Sequence, residues 1–183
     1  MKILVVILTA VLAMGTVLAG CSSAETPTPS PSGSALEEGP AVGKLAPDFT
    51  LQNTNGETVT LSALRGGPVM VNFWATWCVP CGEEMPYMQQ MYDTYSPKGL
   101  VFLSIDLAES ADKVLSYLTE RSLTFRVLLD SKQEVAVDKY GVQGVPTTIL
   151  VDKNGVIQKI QVGSFISREQ LETWLLAAFP ELG

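Results

Sequence analysis

The sequence predicts an α/β fold, with a mixed central sheet, helices on both faces and an N-terminal β-hairpin extension. Apolar runs of the buried-strand type alternate along the chain with stretches of helical periodicity, which is the pattern of parallel strands joined through helices. Turn signals at Asn55-Gly56 and at residues 152–155 mark two hairpins, which add antiparallel strands to the sheet. Hydrophobic residues make up 46% of the 183 residues and charged residues 17%, so the chain holds enough apolar material for a buried core.

The elements follow in chain order from local patterns. Alternating apolar and polar residues at 49–51 and 58–61, on either side of Asn55-Gly56, predict the N-terminal hairpin. Further strands are predicted at residues 69–75, 100–107, 125–129, 147–151 and 156–162. Helices are predicted at residues 79–95, 111–121, 133–140 and 168–178. Pro86 lacks the backbone N–H that a helix interior requires, so a kink is expected in the first of these helices.

The first 20 residues differ in character from the rest. Lys2 is followed by an uncharged, apolar run at residues 3–20, which ends in Leu-Ala-Gly before Cys21. This arrangement resembles a bacterial lipoprotein signal, and the resemblance implies cleavage before Cys21 and a diacylglyceryl thioether on its sulfur. The acyl chains would then anchor the protein to a membrane. Two other interpretations of residues 1–20 stay open, an uncleaved transmembrane helix and an ordinary secretory signal.

Residues 22–40 are rich in Ser, Thr, Pro and Gly, and prolines alternate with other residues at 27, 29 and 31. Such a stretch cannot bury a core and tends towards polyproline II, so it could hold a domain about 50 Å from a membrane. We therefore divide the chain into a lipoprotein signal peptide at 1–20, a lipidated Cys21 with a linker at 21–40, and one α/β domain at 41–183.

Composition excludes several function classes. The formal net charge is −7 at pH 7, and no basic surface suited to phosphates is evident, so nucleic-acid binding is not expected. The chain contains no His, which excludes Ser-His-Asp and Cys-His catalysis, imidazole-rich zinc sites and His proton shuttles within it. Proton chemistry must therefore use carboxylates, thiols or water.

The chemistry concentrates at Cys78 and Cys81, a C-x-x-C that follows a buried strand and opens a helix. Backbone N–H groups and the helix dipole at that position stabilise a thiolate, which makes Cys78 the candidate nucleophile. Cys81 lies one turn further in, where it can close a disulfide or attack a mixed disulfide from within. A purely structural disulfide is the alternative, but a loop this short would contribute only about 2 kcal/mol. A zinc site is the other alternative, but it would need about four ligands, and in a chain without His only carboxylates are left to join the two thiols.

Segment 77–81 together with the Gly-Val-Pro-Thr-Thr of 144–148 resembles the thioredoxin fold. The Ala-Pro-Asp-Phe-Thr-Leu at 46–51 and the lipoprotein-type N-terminus narrow the resemblance to the TlpA/ResA-like membrane-anchored thiol-disulfide oxidoreductases. The resemblance implies that Pro146 is cis and lies against the C-x-x-C, and that the backbone of Val145 pairs with an extended substrate. Trp77, next to Cys78, is expected to shape the substrate-facing surface.

The same resemblance implies the partners and the location. Cys78 attacks a protein disulfide and Cys81 resolves the mixed disulfide, with no cofactor and no metal. Protein substrates such as apocytochrome c and a membrane dithiol donor of the CcdA/DsbD type are expected. The protein is expected to be a monomer, lipid-anchored at the extracytoplasmic or periplasmic side of the cell membrane.

Two departures from ordinary thioredoxins bear on the mechanism. Thioredoxins carry a buried Asp where this chain has Asn72, so the usual proton acceptor for the inner thiol is missing. Glu84 lies three residues after Cys81 on the same helical face, and in ResA-like proteins the matching Glu lies near the thiols. Glu84 is therefore the candidate catalytic residue that assists deprotonation of Cys81. The alternative for Glu84 is a solvated helix carboxylate. The uncharged Val79-Pro80 pair leaves the Cys78 thiolate less stabilised than in strong oxidases, which favours a reductant.

Two functions of other classes compete with this interpretation. A thiol peroxidase is suggested by the Ala-Pro-Asp-Phe of 46–49, which peroxiredoxin-like chains share, although the Thr-x-x-Cys environment of a peroxidatic cysteine is not reproduced at Cys78. A Cu(I) metallochaperone is suggested by the paired thiolates of Cys78 and Cys81. Peroxide turnover without a protein disulfide substrate would favour the first, and stoichiometric copper retention without disulfide reduction would favour the second.

Overall fold

The computed structural model describes residues 36–183, and the predicted signal, Cys21 and most of the predicted linker lie outside these residues. The strands are β1 (Thr50–Asn53), β2 (Thr58–Thr60), β3 (Val69–Trp74), β4 (Val101–Leu107), β5 (Val127–Asp130), β6 (Thr147–Val151) and β7 (Ile157–Val162). The α-helices are α1 (Val79–Tyr95), α2 (Ala111–Glu120) and α3 (Arg168–Leu176). Within residues 36–183, no helix is long and apolar enough to cross a membrane.

The strands form one mixed sheet in the order β2-β1-β5-β4-β3-β6-β7. β4 pairs in parallel with β3 and with β5, and the other neighbours pair antiparallel. The N-terminal hairpin, β1 and β2, joins the sheet through β5, so the predicted mixed sheet with a hairpin extension is confirmed. All six residues of β3 are buried, as expected for a strand covered on both faces.

Alternate residues of β3 enter two separate hydrophobic clusters, one on each face of the sheet. Met70 and Trp74 pack with buried residues of α1, α2 and α3 on one face. Val71 and Phe73 pack with residues of the 134–139 segment on the other face. The period of two along a strand is what places these side chains on opposite faces. Helical segments therefore cover both faces, as the sequence predicts.

One helical segment differs in detail from the sequence prediction, whereas α1 has the predicted bounds. The segment Glu134–Lys139 is a π-helical turn, in which the Tyr140 N–H donates to the carbonyl of Val135 at 3.0 Å. Gln133, just before it, has a left-handed backbone with φ of 60°. α1 runs through Pro86 as one helix, and its methionines at 85, 88 and 91 are all buried. Their burial supplies packing energy that offsets the hydrogen bond lost at Pro86.

The beginning of the described chain contacts the domain through its backbone. The Leu45 N–H donates to the Glu37 carbonyl at 3.0 Å, and the Gly39 N–H donates to the Leu45 carbonyl at 2.9 Å. Leu45 also forms an antiparallel bridge with Val156. Residues 37–40, which composition places in the linker, thus make hydrogen bonds with the folded chain, because backbone pairing leaves no compositional signal.

Candidate active site

The two cysteines lie where β3 ends and α1 begins. A turn at residues 75–77 joins the two elements, and the Cys78 N–H donates to the Ala75 carbonyl at 3.2 Å. Cys78 is the N-cap of α1, and the Cys81 N–H donates to its sulfur at 3.2 Å. Because this N–H and the helix dipole both face the sulfur, they stabilise a thiolate at Cys78 once the pair is reduced. The structure therefore gives Cys78 the environment of a nucleophile.

Cys78 and Cys81 are joined by a disulfide, so the structure shows the oxidised form. Cys78 is 5% exposed to solvent, whereas Cys81 is fully buried. This difference gives the two sulfurs different chemistry, because an external disulfide approaches from the solvent side. The Cys78 sulfur is therefore the one that can attack an external disulfide. The Cys81 sulfur can attack only the Cys78 sulfur, from the interior of the protein.

The Val145 backbone lies against the disulfide, and Pro146 follows it in the chain. The peptide bond between them is cis, and the Cys78 sulfur lies 3.5 Å from the Val145 carbonyl oxygen. The Thr147 hydroxyl donates to the Gly144 carbonyl at 2.7 Å and so closes the turn that carries them. Val145 is half-buried, and its backbone borders the sulfur that a substrate would reach.

Exposed apolar side chains lie on the segments next to the cysteines. Trp77 is 65% exposed and Val79 is 72% exposed, one on each side of Cys78 in the chain. Ile166 is 80% exposed, on a segment whose Gly163 N–H donates to the Pro146 carbonyl at 2.9 Å. The apolar surface of an exposed Trp is unfavourable in water, and a bound partner would bury it. This surface beside the reactive sulfur therefore suits a polypeptide.

Glu84 is fully buried, so the solvated-carboxylate alternative is wrong for it. Its Oε1 accepts a hydrogen bond from the Asn72 amide at 3.1 Å, and its Oε2 accepts one from the Phe165 N–H at 2.9 Å. The Asn72 amide also donates to the Thr148 hydroxyl at 3.0 Å. Burial raises the pKa of Glu84 to about 7, although these two hydrogen bonds to its carboxylate act in the opposite direction. The carboxyl can therefore exchange a proton near neutral pH, whereas neighbouring Glu83 is exposed.

Two further acidic residues lie beside the site that the sequence did not predict there. Asp106 is fully buried near the end of β4, and Glu109 follows three residues later with a side chain only 5% exposed. The available signal was the charged residue Asp106 within a mostly apolar strand, because a buried polar residue is more informative than a buried apolar one.

Known proteins with similar sequences agree on the chemistry. The family model described as AhpC/TSA family matches residues 42–160. The thiol-disulfide oxidoreductase ResA of Geobacillus thermodenitrificans is 39% identical over 140 residues, which cover 76% of this chain and 79% of that protein. This chain is a ResA-like member of the AhpC/TSA family. The thioredoxin-like fold and the disulfide oxidoreductase activity that the motifs predict are thereby confirmed.

Solved structures similar to this family member support the same fold. One, a candidate thiol:disulfide interchange protein DsbE from Chlorobium tepidum, is 34% identical with a TM-score of 0.66 and covers 81% of this chain and 100% of its own. Another, the exposed lipoprotein thioredoxin Etrx1 from Streptococcus pneumoniae, is 25% identical with a TM-score of 0.62 and covers 71% of this chain and 98% of its own.

Proposed function

We propose that this thiol-disulfide oxidoreductase is a lipid-anchored reductase of protein disulfides outside the cytoplasm. The observation that carries the proposal is the position of the cysteine pair. Cys78 is the N-cap of α1 beside an exposed Trp77, and Cys81 is buried one turn behind it. That arrangement separates an attacking sulfur, which can reach a polypeptide, from a resolving sulfur, which cannot.

The reaction transfers two electrons from the dithiol to the substrate. The Cys78 thiolate attacks one sulfur of a substrate disulfide, so a mixed disulfide forms and one substrate thiolate leaves. The Cys81 thiol then loses its proton and its thiolate attacks the Cys78 sulfur, which releases the second substrate thiolate. The substrate ends reduced and the protein ends with the Cys78–Cys81 disulfide, the form in the structure. A dithiol donor restores the reduced protein.

Glu84 is proposed as the acceptor of the Cys81 proton. It lies one helical turn after Cys81, it is buried, and its pKa of about 7 suits proton transfer near neutral pH. Asn72 stands where a thioredoxin-type acid would be, and its amide donates to the Glu84 carboxylate instead of accepting a proton.

The direction of electron flow is proposed from the residues between the cysteines. Val79 and Pro80 carry no charge, so little besides the helix N-terminus stabilises the Cys78 thiolate. A less stabilised reduced form makes a stronger reductant. Reduction of secreted proteins, apocytochrome c among them, by electrons from a CcdA/DsbD-type membrane dithiol carrier fits that direction and follows from the family resemblance.

The membrane location is proposed from the sequence before the domain. The Leu-Ala-Gly that precedes Cys21 has the pattern of a lipoprotein signal, and the similar Etrx1 is named as an exposed lipoprotein. Full-length protein produced in a bacterium that processes lipoproteins should therefore fractionate with membranes, and mass spectrometry should find Cys21 acylated at the new N-terminus. Cys21→Ser should be found outside the membrane fraction or as uncleaved precursor. An unmodified Cys21 in the parent would contradict the anchor.

Trapping tests the substrate class. The variant Cys81→Ala cannot resolve the mixed disulfide, so it should accumulate protein adducts joined through Cys78, and Cys78→Ala provides the matched control without them. The parent should reduce insulin disulfides at the expense of a dithiol. Turnover of hydrogen peroxide with no insulin reduction would instead identify a thiol peroxidase, and tight retention of one Cu(I) with no reduction would identify a metallochaperone.

A further inference from the structure

The carboxyl ends of β3 and β4 bring a second acidic group to the active-site edge of the sheet. Trp74 pairs with Asp106 in parallel register, so the turn that leads to Cys78 and the loop after β4 leave the sheet side by side. Asp106 is fully buried. Its Oδ1 accepts the Glu109 N–H at 3.2 Å, while its Oδ2 has no hydrogen-bond partner within the described part of the chain.

Glu109 connects this loop to the turn before Cys78. Its Oε2 accepts the Thr76 N–H at 2.6 Å, and its Oε1 accepts the Thr76 hydroxyl at 2.7 Å. Lys113, in the first turn of α2, forms an ion pair with the same carboxylate. Two hydrogen bonds from one residue to one carboxylate fix both the position and the orientation of Thr76.

The two carboxyls hold one negative charge between them. Burial raises the pKa of Glu109, but hydrogen bonds from Lys113 and Thr76 outweigh burial and lower it to about 2. Burial, and then the adjacent Glu109 carboxylate, raise the pKa of Asp106 to about 8. Glu109 is therefore ionised and Asp106 protonated at neutral pH, and the charge of Lys113 matches the single carboxylate.

The loop that carries Glu109 has a strained backbone. Ala108 has φ of 63°, a left-handed conformation that costs a residue with a side chain about 1–2 kcal/mol. The Ala108 N–H donates to the Asp130 carbonyl at 3.2 Å, and Ser110 caps the start of α2. Strain of this kind persists only where surrounding contacts hold the residue, and such residues are frequent beside functional sites.

The turn at 75–77 begins in the core at Ala75, which is fully buried, but its last residue, Trp77, has left the core. Trp77 is 65% exposed, so burial does not fix its direction, and Cys78 follows immediately in the chain. Both hydrogen bonds that Thr76 donates go to Glu109. A carboxylate in the loop after β4 thus holds the residue that immediately precedes Trp77.

We propose that Glu109, supported by Asp106, is a positioning residue that holds Thr76 so that Trp77 is oriented beside Cys78 to contact a protein that carries a disulfide. This rests on the proposed function, since it assumes a protein substrate. A small disulfide contacts little beyond the Cys78 sulfur, so its reduction does not depend on the orientation of Trp77. Glu109 therefore determines the preference for protein disulfides over small ones.

Exchange with two disulfides of different size tests this positioning. Reduced full-length parent, Glu109→Gln and Thr76→Val are each mixed with insulin and with 5,5′-dithiobis(2-nitrobenzoate), and both second-order rate constants are measured. We expect both variants to lose about ten-fold with insulin and less than about two-fold with the small disulfide. Thr76→Ser keeps the hydroxyl and should restore the insulin rate. Glu134→Gln, an exposed glutamate paired with Lys132, is the matched control.

Fluorine NMR separates this inference from the proposed function. Protein labelled with 5-fluorotryptophan carries three labelled residues, and Trp77→Phe identifies the Trp77 resonance. In Glu109→Gln and Thr76→Val that resonance should shift more than the other two. Parent protein that reduces only the small disulfide would contradict the proposed function. Variants with an unchanged Trp77 resonance, or with equal losses towards both disulfides, would overturn the positioning role.

Discussion

Glu84 and Glu109 lie on opposite sides of β3, and the protein gives their carboxyl groups opposite acid strengths. Glu84, on α1, is fully buried, and both of its hydrogen-bond donors are neutral, the Asn72 amide and the Phe165 N–H. Glu109 follows β4 and has the ammonium group of Lys113 beside it. The pKa is raised to about 7 in the first case and lowered to about 2 in the second.

The difference shows how one residue type serves two purposes around one disulfide. Burial without a cation destabilises the ionised form of a carboxyl, so the group keeps its proton to higher pH and can give up or accept it near neutral pH. A carboxylate with a cation and two hydrogen bonds from Thr76 stays ionised, and it serves to hold geometry. Our two proposals therefore assign proton transfer and positioning to different carboxyl groups near Cys78.

The largest expected effect is on the pH dependence of stability at Glu84. Folded Glu84 keeps its proton up to about pH 7 and unfolded glutamate loses it near pH 4.5, so between these values the folded state binds more protons. Stability therefore falls as pH rises through this window, by about 3 kcal/mol from this group. Urea unfolding of the parent and Glu84→Gln at pH 4 to 8 measures it. The difference between the two curves should change by that amount, and parallel curves would contradict the buried acid.

A smaller effect is expected from a cation placed between the cysteines. Pro80→His puts a titrating side chain beside Cys78 without altering either glutamate. The parent should have a reduction potential below about −200 mV, and the variant should be at least about 30 mV less reducing, because imidazolium stabilises the thiolate. Equilibration with glutathione measures both, and Gln90→His on the same helix serves as the matched control. A parent potential near −120 mV, the value of strong oxidases, would reverse the proposed direction.

The smallest effect is expected from removal of the cation beside Glu109. The lowered pKa of Glu109 contributes stability above pH 4.5, and this contribution is lost as pH falls through about 2. Lys113→Met should reduce that acid-side loss, by about 0.5–1 kcal/mol because Lys113 is more than half exposed. Unfolding of both proteins between pH 5 and 2 measures the change. If the acid-side loss stayed the same, Lys113 would not be what keeps Glu109 ionised.

Sequence patterns were sufficient for the sheet and for the cysteine pair because both are local or periodic signals. Strands β3 to β6 follow from apolar runs and β7 follows from the hairpin turn at 152–155, while Cys78 and Cys81 follow from their spacing at a helix start. The π-helical turn at 134–139 could not be told from an ordinary helix, since its apolar residues have helical spacing and the difference lies in the hydrogen-bond pattern.

The surroundings of Glu84 and Glu109 could be described only from the three-dimensional structure. Glu84 was a candidate from its spacing to Cys81, but its burial depends on Asn72 and on the N–H of Phe165, which lies 81 residues further along the chain. Glu109 gave no pattern at all, because its contacts with Thr76 arise only when parallel β3 and β4 end at the same edge. Contacts between distant segments leave no periodicity in the sequence.

In the proposed mechanism, Glu84 accepts the proton of Cys81 when the mixed disulfide is resolved. The most direct measurement is the single-turnover rate of that step from pH 5 to 9, with reduced protein, oxidised glutathione, an acid quench and mass spectrometry of the Cys78 adduct. We expect Glu84→Gln to fold normally and to resolve the adduct about a hundred-fold more slowly at pH 7, without the parent's inflection near that pH. Exposed Glu83→Gln should match the parent. An unchanged rate and pH profile in Glu84→Gln, together with an altered profile in Glu83→Gln, would show that the wrong carboxylate has been assigned.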